Sequence, residues 1–228
     1  MRQVGQMLRP TARAMRWSPM VVGAVAAAWV VVAMTEETCL GLPDASPCIS
    51  DGVRVASLRV AILMLAVGSS FALDDPTEET TGHLPTPVWL RRVCRLVLLA
   101  PLMAGAWGVL VGLAFRDRIG RDPFPTGALT LEFAATLLLG FALAAAGARL
   151  APDRLGGVVA SPMLIGFAIV AMLLSGRWDL LILEPFGRGW GHSHFLWKGL
   201  LILGASGFVL ASRGPYRRRS LRLSGQST

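Results

Sequence analysis

Charged residues are scarce in this chain of 228 residues, where Asp, Glu, Lys and Arg together account for 16%. Soluble domains carry roughly 25% charged residues, so this composition excludes an ordinary water-soluble globule. Hydrophobic residues make up 54% of the chain, which excludes a disordered protein because disorder requires low hydrophobicity. The three cysteines form no C-x-x-C pair, so a cysteine-based zinc site is not expected. The pattern G-x-x-x-x-G-K-[ST] is absent as well, and the sequence therefore contains no P-loop for ATP.

What the sequence does contain is a series of long apolar runs. A membrane-spanning helix needs about 20 predominantly apolar residues, and six runs approach or exceed that length. They are Pro19–Met34, Val55–Leu73, Val93–Phe115, Ala128–Leu150, Gly157–Leu174 and Leu196–Ala211. The sequence therefore predicts an all-α, polytopic membrane protein with six transmembrane helices over residues 18–212, followed by a basic tail at 213–228.

The distribution of basic residues predicts the orientation of these spans. The net charge is +8, which in a soluble protein would suggest nucleic-acid binding. Here the basic residues lie mostly between the apolar runs, as the positive-inside rule describes, so no nucleic-acid partner is expected. With the N-terminus inside, fourteen of the 22 Arg and Lys residues fall in cytoplasmic segments. We therefore expect a multi-pass protein of the cytoplasmic membrane with both termini cytoplasmic.

Residues 1–17 show a helical pattern of their own. Arg2, Arg9, Arg13 and Arg16 recur on one face, with apolar residues between them. This spacing predicts an amphipathic helix that lies in the cytoplasmic interface, with its arginines toward lipid phosphates. A disordered basic leader is the alternative.

The predicted cytoplasmic loop between the second and third spans, residues 74–92, begins with acidic residues and ends with basic ones. Thr86 and Pro87 form a favourable helix start, so a helix is expected to run from there into the third span. Leu84 and Trp89 are apolar groups presented to the cytosol, where a soluble partner would explain them. Alternatively, Trp89 anchors the span at the interface and the arginines only set the topology.

This layout resembles that of bacterial ABC-2-type exporter permeases. Those proteins combine an interfacial N-terminal helix, six spans and a short Thr-Pro-containing segment between spans two and three. The resemblance implies a dimeric channel, formed with a second permease copy or a paralogue and driven by separate ABC ATP-binding subunits. It implies that this chain binds no cofactor itself and that ATP and Mg²⁺ bind in the partner subunit. The implied ATPase contact consists of Leu84, Pro85, Thr86, Pro87, Trp89, Arg91 and Arg92.

The predicted outer loop at 176–198 is the second unusual segment. Its tryptophans are typical of a membrane interface, and a gate near the outer surface is expected to include Trp190, His192, His194 and Phe195. The i, i+2 spacing of the two histidines is poor for one metal ion, although Asp179 and Glu184 could add oxygens. No metal site is therefore predicted. The alternative function is a membrane-embedded enzyme or a haem- or metal-handling assembly factor that uses His192 and His194, and a scaffold without ATP coupling is a further rival.

Ionisable residues inside predicted spans are functional candidates by default, and Arg59 and Glu132 are the two considered. Arg59 lies near the outer end of the second span and Glu132 about one turn into the fourth. They could pair with each other, but their shallow position favours snorkelling to the headgroups. No carboxylate or histidine is evident near the midplane, which counts against an ion-coupled carrier.

Cys39 and Cys48 share one short loop between the first two spans. If that loop lies outside the cell, a disulfide between them is plausible. Two free thiols explain the sequence nearly as well, and both readings stay open.

Overall fold

Six long helices make up most of the described part of the chain. A computed structural model describes residues 12, 15–36, 50–74, 88–116, 125–150, 155–174, 180–182, 187 and 189–213. The helices are α1 (Ser18–Glu36), α2 (Asp51–Ser70), α3 (Val88–Ala114), α4 (Thr126–Leu150), α5 (Gly156–Leu173) and α6 (Trp190–Arg213), and a short 3₁₀ turn, Phe71–Leu73, follows α2. No β-strand occurs among the described residues. All six helices are long and apolar enough to cross a membrane, so the prediction of an all-α, six-span membrane protein is confirmed.

The helix starts follow local chemistry. Ser50 caps α2, because its hydroxyl accepts a hydrogen bond from the Val53 backbone N–H, 3.4 Å away, as N-cap residues do. Gly189, with φ of 90°, adopts a conformation that favours glycine, and α6 starts at the next residue. Since α6 begins at Trp190, the last part of the predicted outer loop, residues 190–198, is helical. Its polar side chains find partners inside the protein, so the helix extends beyond the apolar run.

Helices α2 and α4 occupy the centre of the bundle. In each of them 61% of the spanning segment is buried, against 22–28% in the other four. Helix α4 packs against α5, α6 and α2, and α1 packs against α2. The outer helices leave large apolar side chains exposed, such as Trp29 and Phe195, as expected for surfaces that contact lipid.

Close glycine contacts pack the outer helices against the two central ones. A Cβ on Gly23 of α1 would lie 2.8 Å from the Met64 carbonyl oxygen of α2, and one on Gly204 of α6 would lie 2.8 Å from the Leu139 backbone nitrogen of α4. Neither position has space for a side chain. The small residues predicted to permit tight helix packing therefore do so at Gly23 and also at Gly147, where a Cβ would lie 2.8 Å from Val159 Cβ.

Several predictions from the sequence lie outside the described residues. These are the interfacial-helix residues Arg2, Arg9 and Arg13, the Cys39–Cys48 pair, the segment Leu84–Pro87, the oxygens of Asp179 and Glu184, and the tail beyond Arg213. Arg16, the fourth arginine of the predicted interfacial helix, is described and exposed just before α1. The third cysteine, Cys94, is a buried free thiol in α3.

Candidate functional site

A buried ion pair joins the two central helices. Arg59 Nε donates to Glu132 Oε2, and Arg59 Nη2 donates to Glu132 Oε1, both over 2.7 Å. The Arg59 side chain is 10% exposed and that of Glu132 is 1% exposed. Arg59 also donates through Nη1 to the Ile182 carbonyl oxygen at 2.8 Å. The pairing of these residues is confirmed, and the snorkelling interpretation is wrong. Both side chains lie on the innermost helices, where they meet each other before they can reach the headgroups.

His194 of α6 approaches the same carboxylate. Its Nε2 lies 3.4 Å from Glu132 Oε1 but has no hydrogen-bond partner among the described residues. Its Nδ1 lies 2.7 Å from the Trp190 carbonyl oxygen. A carbonyl oxygen only accepts, so Nδ1 carries a proton and donates it there. In the neutral imidazole, Nε2 is therefore a lone pair that faces a carboxylate.

The segment Leu180–Ile182 lies over this cluster. The Leu180 carbonyl oxygen accepts hydrogen bonds from Ser193 Oγ at 2.9 Å and from Trp197 Nε1 at 3.1 Å. The next polar contact is the bond from Arg59 to Ile182 described above. Since α6 and α2 both donate to one short segment, the segment ties these two helices and the cluster into a single hydrogen-bonded unit.

A cavity of about 270 Å³ adjoins the ion pair. Arg59, Glu132 and Thr136 supply its polar lining. The rest is apolar and comes from α2, α5, α6 and the covering segment: Ala56, Val60, Ile62, Leu63, Phe167, Ala168, Ala171, Met172, Leu181 and Trp197. An apolar pocket with a few convergent polar groups is the usual form of a small-molecule site. We therefore take this cavity and the Arg59–Glu132–His194 cluster as the candidate functional site.

A second polar network lies at the opposite ends of the helices. Arg92, near the start of α3, donates to the Ala211 carbonyl oxygen of α6 at 2.9 Å. Arg95 donates to the carbonyl oxygens of Leu73 at 2.9 Å and Asp74 at 3.0 Å, directly after α2. The Asp74 carboxylate in turn accepts from the Gly157 N–H at the start of α5, 2.9 Å away. The start of α3 is thus linked to α2, α5 and α6, three of the helices that line the cavity.

Burial raises the pKa of the Asp74 carboxyl above its ordinary value of 3.8. The Gly157 N–H and the positive charges of Arg16 and Arg95 act in the opposite direction but do not cancel this effect. The folded protein therefore holds this proton more tightly than the unfolded chain does. The protonated carboxyl therefore stabilises the folded protein fully below pH 3.8. This stabilisation is lost as the pH rises through the pKa that the carboxyl has in the folded protein.

The described part of the predicted ATPase contact divides into exposed and buried residues. Trp89 is 48% exposed at the first turn of α3, Arg91 is half-buried, and Arg92 is buried in its bond to Ala211. Trp89 is thus accessible to a partner, whereas Arg92 contributes to helix packing within the chain. Whether a partner binds here stays a prediction.

Of the four residues predicted to form an outer gate, two lie together and two lie apart from them. Trp190 and His194 are buried and their rings are 4.5 Å apart, whereas His192 and Phe195 are exposed. The two histidines point to different sides of α6, as their spacing predicts. Within the described ranges, no group of three His, Cys, Asp or Glu side chains could hold a metal ion.

Sequence reasoning missed the role of His194, because it treated the residue as part of a loop. The available signal was the spacing of Trp190, His194 and Trp197, which places the three side chains on one helical face.

Neither the family models, nor the curated proteins, nor the solved structures contain a match to this chain. Its fold establishes a multi-pass helical membrane protein.

Proposed function

We propose that this chain is the membrane-spanning subunit of an exporter in the cytoplasmic membrane, driven by a separate ATP-binding subunit. The observation that carries the proposal is the network at the start of α3. Arg92, Arg95 and Asp74 link that point to the helices around the cavity through hydrogen bonds of 2.9 to 3.0 Å. A partner that moves the start of α3 would therefore act on the cavity.

The mechanism follows from the stiffness of the helices. Hydrogen bonds to charged groups contribute roughly 1.5–3 kcal/mol each, so the buried Arg92 and Arg95 resist separation from their carbonyl partners. Displacement of the first turn of α3 would then carry along the ends of α2 and α6. Arg59 lies on α2 and His194 on α6, so the same displacement would change the geometry around Glu132 and the volume of the cavity.

In this proposal the energy comes from outside the chain. The sequence has no P-loop, and ATP and Mg²⁺ would bind in the partner subunit. Trp89, exposed at the first turn of α3, is the described residue best placed to contact that partner, with the neighbouring Arg91. A second membrane-spanning chain, either another copy or a paralogue, would complete the exporter.

The first test is to purify the tagged full-length chain in mild detergent from its native host and to identify the proteins that accompany it. We expect a stoichiometric companion that contains a P-loop. A folded chain that repeatedly purifies without any ATP-binding companion would overturn the proposal.

The second test compares two tryptophan variants in the reconstituted complex. Trp89→Ala should reduce the coupling of ATP hydrolysis to transport, whereas Trp29→Ala is the matched control because Trp29 is 70% exposed on α1, away from the start of α3. Equal coupling in both variants would show that Trp89 does not contact the ATPase.

A further inference from the structure

We infer that the cavity binds a singly charged anionic amphiphile with one alkyl chain, and that His194 takes up one proton when it binds. The inference rests on the proposed function, since it names the class of molecule that the exporter would carry.

The charges of the cluster balance when His194 is neutral. Arg59 and Glu132 cancel each other in their bidentate pair. Bringing a single anion into this buried site would leave one negative charge uncompensated, which is costly in a medium of low dielectric constant. Binding of an anion therefore requires one further positive charge in the same place.

His194 can provide that charge. Its Nδ1–H is committed to the Trp190 carbonyl oxygen, and its buried Nε2 has no hydrogen-bond partner among the described residues. A proton added at Nε2 would point toward Glu132 Oε1, 3.4 Å away, and would convert a contact between a lone pair and an anion into an ion pair. No other bond is made or broken, and the proton comes from water or from the acid form of the ligand.

Arg59 provides the site for the anion. Three of its five N–H bonds are used, two by Glu132 and one by Ile182. One N–H on each terminal nitrogen therefore has no acceptor within the described part of the chain, and Arg59 lines the cavity. When His194 is protonated and the ligand is bound, the cluster contains two cations, Arg59 and His194, and two anions, Glu132 and the ligand.

The remaining lining of the cavity is almost entirely apolar. It would contact the alkyl chain of the ligand. Two of the lining residues, Val60 at 39% and Met172 at 68%, are also exposed on the outside of the bundle. The cavity therefore reaches the outer surface of the spanning helices α2 and α5. A molecule that already resides in the bilayer, with its alkyl chain in the membrane, fits this route of access.

The surroundings of His194 decide how its protonation responds to pH. From the neighbouring helices, the described charged groups around it are Glu132 on α4 and, beyond it, Arg59 on α2. On α6 itself, Lys198 follows one turn later and is exposed. The segment above contributes only backbone carbonyls, at Leu180 and Ile182. Glu132 is therefore the charged group closest to His194 Nε2 among the described residues.

The test is calorimetric titration of the full chain in phosphatidylcholine nanodiscs with decanesulfonate, a probe that keeps one negative charge at every pH used. 1-Decanol is the uncharged probe of equal chain length, and empty nanodiscs give the partitioning background. Titrations in two buffers of different ionisation enthalpy measure the protons taken up per ligand. Measurements at about pH 5.5 and about pH 8 lie on either side of the ordinary histidine range.

For the wild-type chain we expect saturable decanesulfonate binding that is about tenfold or more tighter at the lower pH, given the strength of one charge-assisted hydrogen bond. At the higher pH, about one proton should be taken up per ligand, as the single vacant nitrogen of His194 requires. 1-Decanol should bind without proton uptake and without pH dependence.

Two variants separate the roles of the groups. His194→Asn can still donate to the Trp190 carbonyl but cannot accept the proton, so it should lose both the proton uptake and the pH dependence. His192→Asn, the same change at an exposed position of the same helix, should behave as wild type. Ala168→Phe should fill part of the cavity and weaken the binding of both probes.

Three results would overturn the inference: no saturable binding above that of empty nanodiscs, binding of decanesulfonate at the higher pH without proton uptake, or equal proton uptake in His194→Asn. The measurement uses the chain without an ATPase. Its failure therefore leaves the companion test of the proposed function untouched, and absence of a companion leaves the binding result intact.

Discussion

Removing both partners of the Arg59–Glu132 pair should cost clearly less free energy of unfolding than the sum of the two single removals. Two 2.7 Å charge-assisted hydrogen bonds join the side chains, and each such bond contributes roughly 1.5–3 kcal/mol. Arg59→Met leaves a buried carboxylate and Glu132→Leu leaves a buried guanidinium. We expect each single variant to lose about 3–5 kcal/mol of unfolding free energy. The double variant should lose about 2–3 kcal/mol less than the sum of the two, because it leaves no buried charge unpaired.

The assay is reversible unfolding by dodecyl sulfate in mixed bicelles, followed by far-ultraviolet circular dichroism, for the wild type and the three variants. Arg149→Met is the control, since Arg149 is exposed in the last turn of α4 and should change stability by less than about 0.5 kcal/mol. If the two single effects add within about 0.5 kcal/mol, the side chains do not act as a pair and the reasoning about the cluster is wrong.

Two further predictions concern helix packing and the opposite end of the bundle. Gly204→Ala should lose about 1–3 kcal/mol in the same unfolding assay, because its Cβ would meet α4 backbone atoms at 2.8 Å. Gly199→Ala, with open space on the same helix, should gain up to about 1 kcal/mol; equal effects would refute the contact. Asp74→Asn should be at least as stable as wild type at neutral pH and should remove the loss of stability as the pH rises. Asp74→Ala should lose about 1–3 kcal/mol, because the Gly157 N–H is left without its acceptor.

The sequence predicted the number and type of the helices because a membrane imposes the same length and hydropathy on each of them. It did not predict which helices are central. The span of α2 has a mean hydropathy of 1.8 and that of α4 one of 1.9, against 1.9 for the peripheral α1. An apolar side chain has the same hydropathy whether it leaves water for lipid or for the core of the protein. Mean hydropathy therefore cannot separate a lipid-facing helix from a central one.

The candidate site was only partly predictable for the same reason. Arg59 and Glu132 were recognised as ionisable residues at similar depth, but their pairing depended on both α2 and α4 being buried. His194 was assigned to a loop, because Trp190–Phe195 contains polar residues that fall below the hydropathy expected for a span. The helix forms there because Ser193 and Trp197 donate to Leu180, a tertiary contact that no local pattern shows.

The two polar regions of the bundle are related by the helices that connect them. The cluster lies about 6 to 12 Å along the helix axes from the starts of α2, α4 and α6, at 1.5 Å per residue, whereas the Arg92–Arg95–Asp74 network lies at the opposite ends. Between them the helices pack through contacts such as that of Gly204, which allow little compression. In the proposed mechanism, a displacement applied at the start of α3 would therefore reach the cluster as a relative movement of Arg59 and His194, on which the charge balance around Glu132 depends.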